Sequence, residues 1–137
     1  MELIDDTRHA IDLRTTPLHL GLGSRARPIQ GFAFEPQALG AYLEQTAADG
    51  TDGRLLIVID EDGPGAHWER HGGDEVIVCL EGAVTVRQER DGAVDAVALT
   101  SGQAIVNLAG VWHTVDADGR ARILTITPGV GTEQRPV

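Results

Sequence analysis

Seventeen glycines and six prolines punctuate a chain of 137 residues. Glycine and proline end regular elements, so what lies between them is short. Most of it reads as strand. Arg54 to Asp60 and Glu75 to Leu80 are compact apolar runs of strand length, and Ala104 to Leu108, Val111 to Val115 and Ala121 to Thr127 follow the same pattern. Ala83 to Gln88 and Val94 to Thr100 flank Glu89-Arg90-Asp91-Gly92, where Asp-Gly signals a hairpin. One segment reads as helix: Glu35-Pro36 opens it, Leu39, Tyr42, Leu43 and Thr46 recur at helical spacing, and Asp49-Gly50 closes it. Many short strands with one helix predict a single all-β domain, a sandwich or small barrel.

Charge excludes several partners. Eleven basic residues, all Arg, face twenty-one acidic ones, a net charge of −10. An acidic surface repels phosphate backbones and anionic lipid, so neither nucleic acid nor membrane is an expected partner. The absence of Lys removes Schiff-base chemistry and a P-loop. Cys79 has no cysteine partner and MELIDDTRHA carries no signal-peptide pattern, so a cytoplasmic location is expected. Gly21-Leu22-Gly23-Ser24-Arg25-Ala26 imitates a dinucleotide fingerprint. Pro17 before it and Pro28 after it deny the strand and helix that fingerprint requires, so it reads as a flexible loop.

The chemistry gathers in two windows, residues 63–82 and 102–117. His67, Glu69 and His71 sit two apart, so a strand projects them from one face. Gly72-Gly73-Asp74 supplies a bend before Glu75, and His113 alternates with Val111 and Val115. Imidazoles and carboxylates directed inward from adjacent strands suit a divalent metal ion with mixed nitrogen and oxygen ligands. Cys79 shares the inward face of Glu75 and Ile77 and reads as core. Trp68 and Trp112 fall on the outer face, packing against the N-terminal segment or a second subunit. His9 and His19 read as structural.

In these windows the chain resembles a small single-domain cupin. Gly63, His71, Glu75 and Gly82 fit the first cupin motif, with Glu69 where a histidine is commonest; Gly102, Gly110 and His113 fit the second, with Leu108 and Ala117 where Pro and Asn are usual. The resemblance implies a double-stranded β-helix (jelly-roll) barrel over 54–127, with an N-terminal extension over 1–53 that holds the helix and a surface tail over 128–137. It implies Glu69, His71, Glu75 and His113 as metal ligands, with His67 an inward neighbour that either replaces Glu69 or acts beyond the ligands, moving protons. Two carboxylates among the ligands favour Fe or Mn, while Zn and Ni also fit. The function implied is a metal-dependent enzyme acting on a small polar molecule, with oxygen-dependent, dioxygenase-like chemistry foremost. The alternatives are a non-catalytic metal-binding or sensor cupin and, third, a sugar isomerase or epimerase, which the missing Lys disfavours. A homodimer paired through edge strands is expected.

Overall fold

A computed structural model describes residues 6–137; residues 1–5, the start of the segment without a signal-peptide pattern, lie outside the described residues. The strands are β1 (Leu18–Gly21), β2 (Arg25–Pro28), β3 (Arg54–Asp62), β4 (His67–Arg70), β5 (Glu75–Glu81), β6 (Ala83–Arg90), β7 (Ala93–Thr100), β8 (Ala104–Asn107), β9 (His113–Ala117), β10 (Arg120–Thr127) and β11 (Glu133–Pro136). They form a six-stranded sheet, ordered β2-β1-β3-β10-β5-β8, and a five-stranded sheet, ordered β11-β4-β9-β6-β7, with antiparallel pairing throughout. This is the all-β domain expected from the strand pattern, in the jelly-roll form that the cupin resemblance implies. Alternation explains how the sheets close on each other: Ile77 and Cys79 of β5, Val84 and Val86 of β6, Leu99 and Ile123 point into one buried cluster between them. Cys79 is fully buried, its Sγ 3.5 Å from the Gly82 carbonyl, as a core residue.

The single α-helix, α1 (Pro36–Gln45), starts with Pro36 in its first turn as the sequence predicts. It stops sooner than Asp49-Gly50; a tight 3₁₀ stretch, Ala47–Asp52, fills the difference, broken at Gly50 where φ is 54°. Tyr42 of α1 packs with Ile29, Leu55 and Ile57 in a second buried cluster. His19 is structural, as expected. It is buried on β1, with Nδ1 2.7 Å from the Tyr42 hydroxyl and Nε2 2.6 Å from Asp49 Oδ2, and so ties α1 to the sheet. Burial pushes the Tyr42 phenol up to about 12.

Three expectations are corrected. The dinucleotide-like stretch is no flexible loop: Gly23 and Ser24 adopt left-handed φ values of 72° and 60° and close the β1–β2 hairpin. Residues 128–137 are not merely a surface tail, because β11 pairs with β4 and extends the five-stranded sheet. Trp68 and Trp112 do lie on the outer face, yet they pack under this last strand. The Arg135 guanidinium sits 5.4 Å from the Trp68 ring and 4.5 Å from the Trp112 ring, while also pairing with Glu89. Arg87 and Arg70 cover the two rings at 5.3 and 4.6 Å. Among the described residues no helix is long and apolar enough to cross a membrane.

Two glycines with the same backbone φ of 78° separate conformational need from crowding. A Cβ on Gly92, at the hairpin tip, meets nothing within 4 Å, whereas one on Gly82 meets the Arg120 carbonyl at 2.6 Å. Gly92→Ala is expected to cost about 1 kcal/mol, the left-handed penalty alone. Gly82→Ala is expected to cost about 3 kcal/mol, because backbone must also shift. Urea denaturation of the two variants measures the gap.

Candidate metal centre

Sheet register assembles the centre. Glu75 opens β5 and stands opposite Asn107 of β8. The pairing of Ile126 with Val76 continues one residue further, bringing Thr127 of β10 beside Glu75. From the other sheet, Glu69 of β4 stands opposite His113 of β9. His71 follows the end of β4, where Gly72 and Gly73 turn the chain: a Cβ on Gly72 would lie 2.8 Å from the Val130 carbonyl, so the bend packs tightly on the C-terminal segment.

His71, Glu75 and His113 converge, all three buried, with donor atoms within 4.8 Å of one another. Glu75 Oε1 is 3.0 Å from His113 Nε2 and accepts from Asn107 Nδ2 at 3.0 Å. Its Oε2 accepts from the Thr127 hydroxyl at 2.5 Å and lies 3.3 Å from His71 Nε2. Gln88 fixes the Asn107 amide by donating to Asn107 Oδ1 at 2.7 Å, which turns Nδ2 toward Glu75. Asn107, Gln88 and Thr127 escaped the sequence reading, although a lone polar residue closing the apolar run Ala104-Ile105-Val106 is a visible signal.

The other nitrogen of each imidazole sets its tautomer. His113 Nδ1 lies 3.0 Å from the Val111 carbonyl, which only accepts, so Nδ1 carries the hydrogen. His71 Nδ1 lies 2.9 Å from the Thr132 hydroxyl, whose own hydrogen is directed to the Pro128 carbonyl at 3.3 Å. A neutral imidazole at either position therefore presents the Nε2 lone pair to Glu75, as metal-binding histidines do. His71 Nε2 is buried without a hydrogen-bond partner. Two lone pairs and a carboxylate facing one another are relieved by a proton or by a metal cation between them, and the donor set fits a divalent ion.

Of the other expected site residues, Glu69 and His67 line the same cavity, as alternation requires. Neither joins the convergent group. Glu69 Oε2 is 3.8 Å from His71 Nε2 while Oε1 accepts from Gln134 Nε2 at 2.9 Å, which keeps Glu69 at the rim. His67 is exposed at the mouth. The cavity, about 660 Å³, also takes in Phe34, Leu39 and Leu43 from α1 and the segment before it. Burial, then the charge of Glu69, raises the pKa of Glu61 on its wall.

The cupin-domain family model matches residues 55–127, more than half of the chain. The chain belongs to the cupin family. Among solved structures, this cupin is similar to a cupin-2 domain protein from Shewanella frigidimarina NCIMB 400, at 26% identity and a TM-score of 0.48 over 55% of this chain and 70% of that one. It is also similar to hydroxypropylphosphonic acid epoxidase from S. wedmorenis, at 20% identity and a TM-score of 0.50 over 60% of this chain and 45% of that one. A third similar structure is hydroquinone 1,2-dioxygenase from Sphingomonas sp. TTNP3, at 13% identity and a TM-score of 0.47, covering 54% of this chain and 58% of that one. The cupin thus spans less than two thirds of either enzyme's length. No curated protein matches the chain.

Protonation of the metal-free centre follows from its contacts. Burial alone would raise the Glu75 carboxyl, but the two facing imidazoles, His113 at 3.0 Å and His71 at 3.3 Å, outweigh it when charged and hold its pKa far below the ordinary 4.5. Burial alone would lower His113; the hydrogen bond and charge of Glu75 outweigh it and raise the pKa above 6.5. A lowered carboxyl stabilises the fold above its unfolded value of 4.5 and loses that contribution as pH falls. A raised imidazole stabilises below its unfolded value of 6.5 and loses that contribution as pH rises through the folded value. The pair's contribution to chelator-treated protein is therefore expected to be greatest between pH 4.5 and 6.5, declining on both sides. Thermal melts across pH check this, and His113→Gln should flatten the alkaline decline.

Proposed function

We propose that this cupin is a metal-dependent enzyme using dioxygen on a small molecule, with a divalent ion, Fe or Mn by preference, held by His71, Glu75 and His113. The observation that carries the reading is the buried convergence of two imidazoles and one carboxylate at the inner end of a cavity. Two histidines and a carboxylate with coordination positions left open are the donor set of non-haem iron oxygenases. Glu69 is the fourth donor, reaching inward once it releases Gln134. When bound, the ion supplies Lewis acidity and the one-electron chemistry that dioxygen needs.

The chain's own residues do the rest. Val111 and Thr132 hold the two imidazoles in their ligating tautomers. Asn107 and Thr127 fix both oxygens of Glu75. Apolar walls from β3, β5, β10 and α1 keep bulk water from the inner end, and His67 at the mouth exchanges protons between the bound molecule and solvent. The sugar-phosphate alternative loses support, since no Arg is among the described cavity-lining residues.

Anaerobic Fe(II) titration is expected to give one site per chain in the wild type. Affinity should fall more than about 100-fold in Glu75→Ala and His113→Ala, and about tenfold in Glu69→Ala. Equal metal uptake in all of them would sink the assignment. With iron bound, an oxygen electrode run against diketones, catechols and organic acids should register consumption that His113→Ala lacks. Binding without consumption would instead assign a non-catalytic role.

A further inference from the structure

The metal ion would account for one end of the cavity; the rest of the wall sorts molecules by charge. The carboxylates Glu61, Glu69 and Glu75 face the cavity, while the described lining contains no Arg, and the sequence contains no Lys. The arginines nearest these walls are engaged elsewhere: Arg70 with Glu133, Arg87 with Asp116 and Arg135 with Glu89, all beside the outer tryptophans. With His67 the one lining imidazole outside the metal centre, and that at the mouth, a bound metal ion is the main attraction for an anion that the lining residues would offer. The rest of the lining is largely apolar and includes Leu39 and Leu43 of α1, Ile59 and Val115. At its edge Phe34 is 63% exposed and lines the mouth.

We infer that the natural ligand is single-headed, with one anionic or ionisable oxygen group for the His71–Glu75–His113 centre and an uncharged apolar body lying against α1. The inference rests on the metal reading for the head and on the cavity's own charge for the body. A second anionic group on the body would leave water beside Glu61 and Glu69 with no Arg or Lys among the lining residues to meet it. Burying an unpaired charge is costly, which makes diacids and phosphorylated molecules poor ligands.

Octanoate and octanedioate test this, being equal in chain length and head group but differing in the second carboxylate. On Zn(II)-loaded protein, calorimetry is expected to show octanoate binding more than about tenfold tighter. Phe34→Arg, a change at an exposed position, should narrow that gap severalfold by supplying a cation, with Zn(II) uptake unchanged. Equal affinity for the two probes, or a preference for the diacid, overturns the inference. Zn(II) uptake is titrated separately, and its failure in the wild type counts against the metal reading instead. On metal-free protein 1-octanol against octanoate then decides the charge bias alone: the neutral alcohol is expected to bind more tightly, and octanoate binding as tightly or better overturns it.

Discussion

The carboxylate of Glu75 is the point on which both sheets depend. Its neighbours come from four places: Asn107 on β8 and Thr127 on β10 in its own sheet, His113 on β9 and His71 beyond β4 in the other. A buried carboxylate is costly unless each lone pair is met, so this one constrains the ends of four strands at once. Removing a single partner leaves the charge less compensated. The same saturation makes the group an ordered donor, because its oxygens have little freedom to turn away from an ion placed between the imidazoles.

The C-terminal strand ties the outer surface to the centre. Strand alternation sends Thr132 and Gln134 toward the cavity while Glu133 and Arg135 face outward. Outside, Arg135 lies over two indole rings and pairs with Glu89, which pins the strand in register. Inside, that register puts the Thr132 hydroxyl against His71 Nδ1 and the Gln134 amide against Glu69. Cation–π contact is worth about 1 kcal/mol at partly exposed sites, so the two guanidinium–indole contacts of Arg135 are a substantial hold on a four-residue strand.

How much of this was legible in the sequence follows from the range of each interaction. Alternation correctly grouped His67, Glu69 and His71 on the cavity side and sent both tryptophans outward, because it is a local property of extended backbone. It could not tell that His71 joins Glu75 while His67 stays at the mouth, since that depends on the bend at Gly72-Gly73 and on what packs over it. The β11 segment shows no apolar periodicity and carries Pro136, so nothing local marks it as a strand; its partner β4 and the stack under Arg135 make it one. The strand expected over Val111 to Val115 lies two residues later, at His113–Ala117, for a similar reason. Gly110 adopts a φ of 78° and Val111 closes a turn on Leu108, so β9 begins only at His113.

The placement of Glu69 reflects an electrostatic balance. A second carboxylate moved in beside Glu75 would leave water and face a like charge, both of which oppose its ionised form. At the rim it keeps solvent on one side and the Gln134 amide on the other. A histidine at that position would carry no such penalty when neutral, so the glutamate makes inward movement depend on positive charge at the centre. Glu75 is held by Asn107 and Thr127 whatever the charge state of the imidazoles, whereas Glu69 has a rim partner in Gln134. The two carboxylates, six residues apart in sequence, therefore differ in kind: one is fixed at the buried centre by the fold, the other stands at the rim with Gln134.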